Sequence, residues 1–242
     1  MRYGIFSDVH SNLEALQAVA AAYKKESIDT YLCAGDVIGY AANPKECIEM
    51  AGSLARTTVG GNHDWAAVSL FSLEYFNPQA RQAIHWTKQN IDEKERQFLK
   101  ALPLTFENED LTLVHGTLLN PQDFDYLADE YAAEDTFSLL KTKVVFIGHT
   151  HHAGIFIQDK TGALRYQQEP AVRILPENKY IVNVGSVGQP RDGDPQAAYC
   201  VYDTEKFEVR IQRVEYDKEM SRKKILEAGL PAFLGDRLFE GK

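Results

Sequence analysis

The sequence predicts an α/β fold, a parallel sheet with crossover helices followed by an antiparallel second sheet. Two observations predict it. Residues 1–60 alternate short apolar runs with stretches at helical spacing, giving strand–helix–strand–helix–strand. Beyond Val144–Ile147, short strand-like segments alternate with turns at Lys160-Thr161-Gly162 and Asp203-Thr204-Glu205 up to about Val214.

Each element follows in order. Tyr3–Ser7 reads as a short buried strand. Ser11-Asn12-Leu13-Glu14 has the capping-box pattern, with Ser11 as N-cap and Glu14 reaching back. Leu13, Leu16, Ala20 and Tyr23 then continue one apolar helical face. Thr30–Ala34 is a second strand ending at Gly35-Asp36, and Pro44 opens a helix whose Cys47, Ile48 and Ala51 share a face. A third strand at about Arg56–Val59 runs into Gly60-Gly61. Residues 65–102 read as a helical insertion, with Asn77-Pro78 and the Asp92/Glu95 pair as helix starts and Pro103 as the stop. Thr105–Glu107 and Leu111–His115 flank Asn108-Glu109-Asp110 as a hairpin. About Glu134–Lys141 is helical, Val144–Ile147 is a strand, and Lys218–Glu227 is a closing helix. The tail beyond Gly229 is expected to pack loosely.

Composition narrows the class. The 242 residues suffice for a proper core, and 44% hydrophobic with 25% charged residues is ordinary for a soluble protein. Three cysteines without metal-type spacing suggest reduced thiols and a cytoplasmic protein. The strand starting directly after Met1 leaves no room for a signal peptide, and no apolar stretch is long enough to span a bilayer. The net charge of -9 argues against a partner as large as a nucleic-acid polymer, though not against a small anion bound where cations supply local positive charge.

Chemistry is concentrated in five short clusters at the ends of strand-like runs. They are Asp8-Val9-His10, Gly35-Asp36, Gly61-Asn62-His63-Asp64, His115-Gly116 and Gly148-His149-Thr150-His151. Histidine, aspartate and asparagine gathered in this way form a divalent-metal ligand set. Loops after parallel strands open at the carboxyl edge of a sheet, where Asp8, Asp36, Asn62, His115 and His149 can converge. Asp8/His10 and His149/His151 are i,i+2 pairs, which in extended chain point to one side; His152 would point away. Blander readings stand beside these. Asn62 could be a left-handed turn residue, Arg191 a solvated loop residue, and Tyr40 and Asn43 either pocket walls or plain loop.

The clusters, in this order and spacing, resemble the calcineurin-like metallophosphoesterase superfamily. Gly185-Ser186-Val187-Gly188-Gln189-Pro190-Arg191 resembles a segment of its small phosphodiesterase branch in bacteria and archaea. The resemblance implies one domain over residues 1–242, with helical insertions at about 65–102 and 117–140. It implies a four-layer α-β-β-α sandwich of two facing mixed sheets, with the metal site at the carboxyl edge of the strands. It also implies that Asp8, His10 and His151 hold one divalent ion, that Asn62, His115 and His149 hold the other, and that Asp36 bridges them. Mixed imidazole and oxygen ligands suit manganese first, with iron or zinc as alternatives.

The activity implied is hydrolysis of a phosphodiester or nucleotide pyrophosphate bond by a hydroxide held between the metals. His63 would protonate the leaving oxygen, with Asp64 orienting it and raising its pKa. Arg191, Tyr40, Asn43 and His152 are candidate substrate contacts, and the expected partner is a small phosphorylated molecule, a nucleotide among the candidates. Two divalent ions less two aspartates leave +2, which one hydroxide and a singly charged diester neutralise and a dianionic monoester overshoots. The rival readings are a phosphomonoesterase or protein serine/threonine phosphatase, a nuclease for short oligonucleotides, and a non-catalytic scaffold. The dinucleoside-tetraphosphate hydrolase and protein serine/threonine phosphatase branches, the nearest enzymatic rivals, typically carry an arginine shortly after the bridging aspartate, where this chain has Tyr40. A scaffold would have lost ligands, and none is missing here.

Overall fold

The computed structural model describes residues 1–242. In chain order the strands are β1 (Arg2–Phe6), β2 (Thr30–Cys33), β3 (Thr57–Thr58), β4 (Thr105–Glu107), β5 (Thr112–Val114), β6 (Val144–Ile147), β7 (Gly154–Gln158), β8 (Leu164–Gln167), β9 (Ala171–Arg173), β10 (Lys179–Asn183), β11 (Ala197–Asp203) and β12 (Glu208–Val214). The α-helices are α1 (Leu13–Tyr23), α2 (Pro44–Leu54), α3 (Asn62–Ala67), α4 (Pro78–Asn90), α5 (Glu93–Lys100), α6 (Glu130–Leu139), α7 (Lys218–Glu227) and α8 (Ala232–Asp236). No helix is long and apolar enough to cross a membrane.

Two mixed six-stranded sheets form, ordered β3-β2-β1-β11-β12-β9 and β4-β5-β6-β10-β7-β8. β1, β2 and β3 are parallel, as are β5, β6 and β10, while β11 runs antiparallel to β1. Strand residues alternate between two apolar environments because both faces of each sheet are covered. Ile5, Leu32, Val144, Phe146 and Val182 meet between the sheets. Phe6 and Cys33 pack outward against Leu16, Val19 and Cys47 of α1 and α2. Val145, Ile147 and Ile181 pack outward against Ala133 and Phe137 of α6. The four layers are therefore helix, sheet, sheet and helix.

Four expectations need correction. The strands after β6 do not build one antiparallel sheet: β7, β8 and β10 join β6, whereas β9, β11 and β12 extend the β1 sheet. Hydrophobic alternation gives a strand's faces but not its partner. The helix read at Glu134–Lys141 spans Glu130–Leu139 and starts at Asp129, which accepts from Ala132 N at 2.9 Å. Asn12, not Ser11, caps α1, accepting from Ala15 N at 3.2 Å, and Glu14 pairs with Lys224 of α7. The tail is not loose, since Leu230, Leu234 and Leu238 are buried against Ala80, Ile84 and Ile225. Each such leucine contributes roughly 1.5–3 kcal/mol of burial.

Candidate metal centre

The site is built by loops that leave the carboxyl ends of β1, β2, β3, β5, β6 and β10. Asp8, His10, Asp36, Tyr40, His149 and His151 all take φ between +49° and +68°. Outside glycine this left-handed backbone costs roughly 1–2 kcal/mol per residue. The loops hold one another in it. Asp8 N and His10 N donate to Gly35 O and Asp36 O at 2.9 and 3.0 Å, and Gly188 N and Arg191 N donate to Asp8 O and His151 O at 2.9 and 3.2 Å. Strain of this kind persists where the surroundings over-determine it, which is typical of functional sites. The two i,i+2 pairs thus converge for a different reason from the one expected: the chain is left-handed at these residues and not extended.

Side-chain geometry divides the predicted ligands into two groups that share one carboxylate. Asp8, His10 and His151 offer ligand atoms within 4.8 Å of one another, as do Asp36, His115 and His149; a third such group, His10, Asp36 and His63, lies between them. His151 Nε2 and His10 Nε2 lie 3.3 and 3.6 Å from Asp8 Oδ1. Asp36 Oδ2 lies 3.6 Å from His10 Nε2 and 3.4 Å from His115 Nε2, so it stands between the groups. Donors around a metal with bonds of about 2.1 Å are separated by roughly 3 Å when at right angles, so these spacings suit coordination.

Buried polar atoms without partners give a stricter test of fit. Asn62 Oδ1, His115 Nε2 and His149 Nε2 are all buried without a hydrogen bond. His115 Nδ1 is 2.7 Å from Ala34 O, His10 Nδ1 is 3.1 Å from Ile38 O, and His151 Nδ1 is 2.6 Å from Gln189 O. A carbonyl only accepts, so each of these Nδ1 atoms carries a proton and aims its Nε2 inward. Metal-binding histidines are oriented by such contacts. His10 Nε2 and His151 Nε2 face each other at 3.0 Å. Cations satisfy every one of these atoms; the residues fit two divalent ions.

Charge follows the same division. Burial pushes Asp8 and Asp36 upward, yet the imidazoles around them outweigh it and hold both carboxyls well below their usual range. Burial lowers His149 and His151 to about 3, with His115 and Arg191 adding to it, so both stay neutral and ready to ligate. Burial also acts on His115, but Asp36 overcomes it and raises this imidazole to about 9.

The other predicted residues separate clearly. His63 is buried beside the centre, its backbone N–H donating to Asp36 Oδ1 at 2.9 Å and its ring 4.8 Å from that of His10. Gly39, at φ +113°, permits this approach, since a Cβ there would sit 2.5 Å from His63 Nδ1. Asp64 does not orient His63. Its carboxylate accepts from Gly61 N at 3.1 Å and Ile38 N at 3.2 Å, which fixes two site loops instead. Nor is the His63 pKa raised, because burial pulls it well below the usual value. Tyr40 packs on His10 and His63, and Arg191 Nη2 donates to its hydroxyl at 3.1 Å and to Gln189 Oε1 at 2.8 Å. Asn43 stands at the start of α2, where its Nδ2 donates to Glu46 Oε1 at 3.0 Å. His152 is exposed and lines a neighbouring cleft with Thr150 and Tyr166.

Two positioning residues had no signal as ligands. Ser186 Oγ donates to Asp8 O at 2.8 Å, and Asn183 Nδ2 donates to Gly148 O at 2.8 Å. Asn183 is the last residue of β10, and Ser186 lies within the segment singled out at Gly185–Arg191.

Comparison with known proteins decides the family. The model of the calcineurin-like phosphoesterase superfamily domain matches residues 1–206. The chain belongs to this superfamily. A crystal structure of a metallophosphoesterase from Sphaerobacter thermophilus is 37% identical, covers 100% of this chain and 99% of that one, and superposes with a TM-score of 0.88. An uncharacterized protein of Methanocaldococcus jannaschii is 39% identical over 98% of this chain and 97% of its own length. A hypothetical protein from Pyrococcus horikoshii shares the fold at 18% identity, with 100% and 98% of the two chains covered and a TM-score of 0.80. As a calcineurin-like phosphoesterase, the chain has its clustered histidines and aspartates where divalent metal binding is expected of the family.

Proposed function

We propose that this metallophosphoesterase hydrolyses a phosphodiester, or the pyrophosphate linkage of a nucleotide, with two divalent ions of which manganese is the first candidate. The observation that carries the reading is the position of Asp36 Oδ2, 3.6 Å from His10 Nε2 and 3.4 Å from His115 Nε2. One carboxylate shared by two ligand groups is what a pair of closely spaced cations needs. Asp8, His10 and His151 would hold one ion and Asn62, His115 and His149 the other, as the resemblance implied. Such a pair supplies an activated water and neutralises charge on phosphoryl oxygens.

The chain's own residues do the rest. Arg191, held by Tyr40 and Gln189 and 5.5 Å above the Tyr40 ring, presents a guanidinium to a phosphoryl oxygen. It brings a cation from a distant loop to Tyr40, the position at which phosphatase relatives carry arginine. His63, packed between His10, Tyr40 and Phe76, can donate a ring N–H hydrogen bond to the leaving oxygen as charge builds on it. Two aspartates against two divalent ions favour a singly charged substrate over a dianion.

The test is a substrate panel with the manganese-loaded protein. Bis(p-nitrophenyl) phosphate is expected to exceed p-nitrophenyl phosphate at least ten-fold in kcat/KM. A monoester cleaved equally well or better overturns the diester assignment.

A further inference from the structure

The two insertions meet beside the metal centre in a cleft of about 440 Å3, and two of the proposed metal ligands, Asn62 and His149, form part of its wall. One side carries Phe71 and Tyr75, stacked at 5.2 Å with an interplanar angle of 28°. The other carries Phe124 and Tyr126, with Tyr126 lying flat on His149 at 4.0 Å and 18°. Tyr75 is 79% exposed and Tyr126 58% exposed, although each is a large ring that burial would stabilise.

Phe124 shows that the cleft is built. It is buried at φ +53°, a strained conformation for a bulky residue, and is held edge-on against Phe71, Trp65 and His115 at 5.1, 5.6 and 6.0 Å. The only charges on the cleft wall are the carboxylates of Asp123 and Asp125. They repel a second phosphate and interrupt any surface that could take an acyl chain, but they accept hydrogen bonds from ring or exocyclic N–H groups. A flat, uncharged, N–H-bearing ring system fits this chemistry, and contact with Asn62 and His149 makes the cleft continuous with the phosphoryl site.

We propose that this cleft binds the nucleobase of a nucleotide substrate, stacked on Tyr75 and Tyr126. The proposal rests on the phosphodiesterase reading and names the group attached to its phosphorus. Base stacking of this kind changes affinity by roughly 5- to 150-fold when the aromatic ring is removed.

The test uses the full-length, manganese-loaded protein and two singly charged esters with one leaving group, adenosine 5′-(p-nitrophenyl phosphate) and methyl p-nitrophenyl phosphate. The nucleoside ester is expected to exceed the methyl ester at least ten-fold in kcat/KM. That ratio should fall five-fold or more in Tyr75→Ala, whose exposed ring is not needed for folding, and persist in Tyr75→Phe. A ratio near one, or one unchanged in Tyr75→Ala, overturns the proposal. Calorimetry with adenosine 5′-monophosphate and ribose 5-phosphate separates the two claims. If neither ester is cleaved, the diesterase reading fails, while at least ten-fold tighter binding of the adenosine compound still supports the base site and equal affinities still refute it.

Discussion

His10 Nε2 and His151 Nε2 face each other at 3.0 Å while both Nδ1 atoms are committed to backbone carbonyls. Both Nε2 atoms also face Asp8 Oδ1, at 3.6 and 3.3 Å, so one cation can be held by all three side chains. Metal is therefore expected to stabilise the fold. At 100 times the dissociation constant, binding contributes about 2.7 kcal/mol, or roughly 5–10 °C in Tm for a chain of this size. Thermal melts with and without manganese check this, and His151→Ala should lose most of the gain.

His63 is expected to act on the leaving group and not on the metals. His63→Ala should keep its metal content and slow esters of poor leaving groups roughly 10²–10⁴-fold. Esters of p-nitrophenol, which leaves without a proton, should slow far less. Equal losses on both kinds of substrate would remove the assignment.

Metal uptake should release one proton per chain near neutral pH. His115 is raised to about 9, so it is protonated in the metal-free protein below that pH and must lose its proton to ligate. His149 and His151, lowered to about 3, are already neutral and release none. Affinity should accordingly rise with pH up to about 9 and level above it. Calorimetry in two buffers of different ionisation enthalpy reads the proton count, and a count of zero contradicts the picture.

Gly188 locks the segment after β10 over the β1 loop. A Cβ there would overlap the backbone carbonyl oxygen of Val9, which is not free to rotate away. Gly188→Ala is expected to destabilise by about 1–3 kcal/mol, seen as a lower Tm and weaker manganese binding.

Much of this was legible in the sequence because it depends on local patterns. Apolar runs located β1, β2 and β6, Pro44 and Asn77-Pro78 located helix starts, and the five polar clusters located side chains that the fold gathers into groups able to hold a metal ion. What depends on partners was not legible. No pattern at Asp8 or His10 announces a left-handed backbone, because the hydrogen bonds to Gly35 O and Asp36 O that hold it come from another loop. The resemblance implies Asp64 as the partner of His63, whereas folding offers it the backbone N–H groups of Gly61 and Ile38. Tyr75 and Tyr126 carry no motif, since an aromatic ring in an insertion reads the same whether it packs in a core or lines a cleft.

The shared carboxylate is the centre of the account, and titration of the metal-free protein with manganese tests it most directly. The wild-type chain should bind two ions, and Asp36→Asn should weaken both together, so that the variant holds less than one ion at the free manganese concentration that saturates the wild type. One ion per wild-type chain at saturation, or a variant that keeps one ion at undiminished affinity, would contradict a bridging Asp36 and the two-metal mechanism with it.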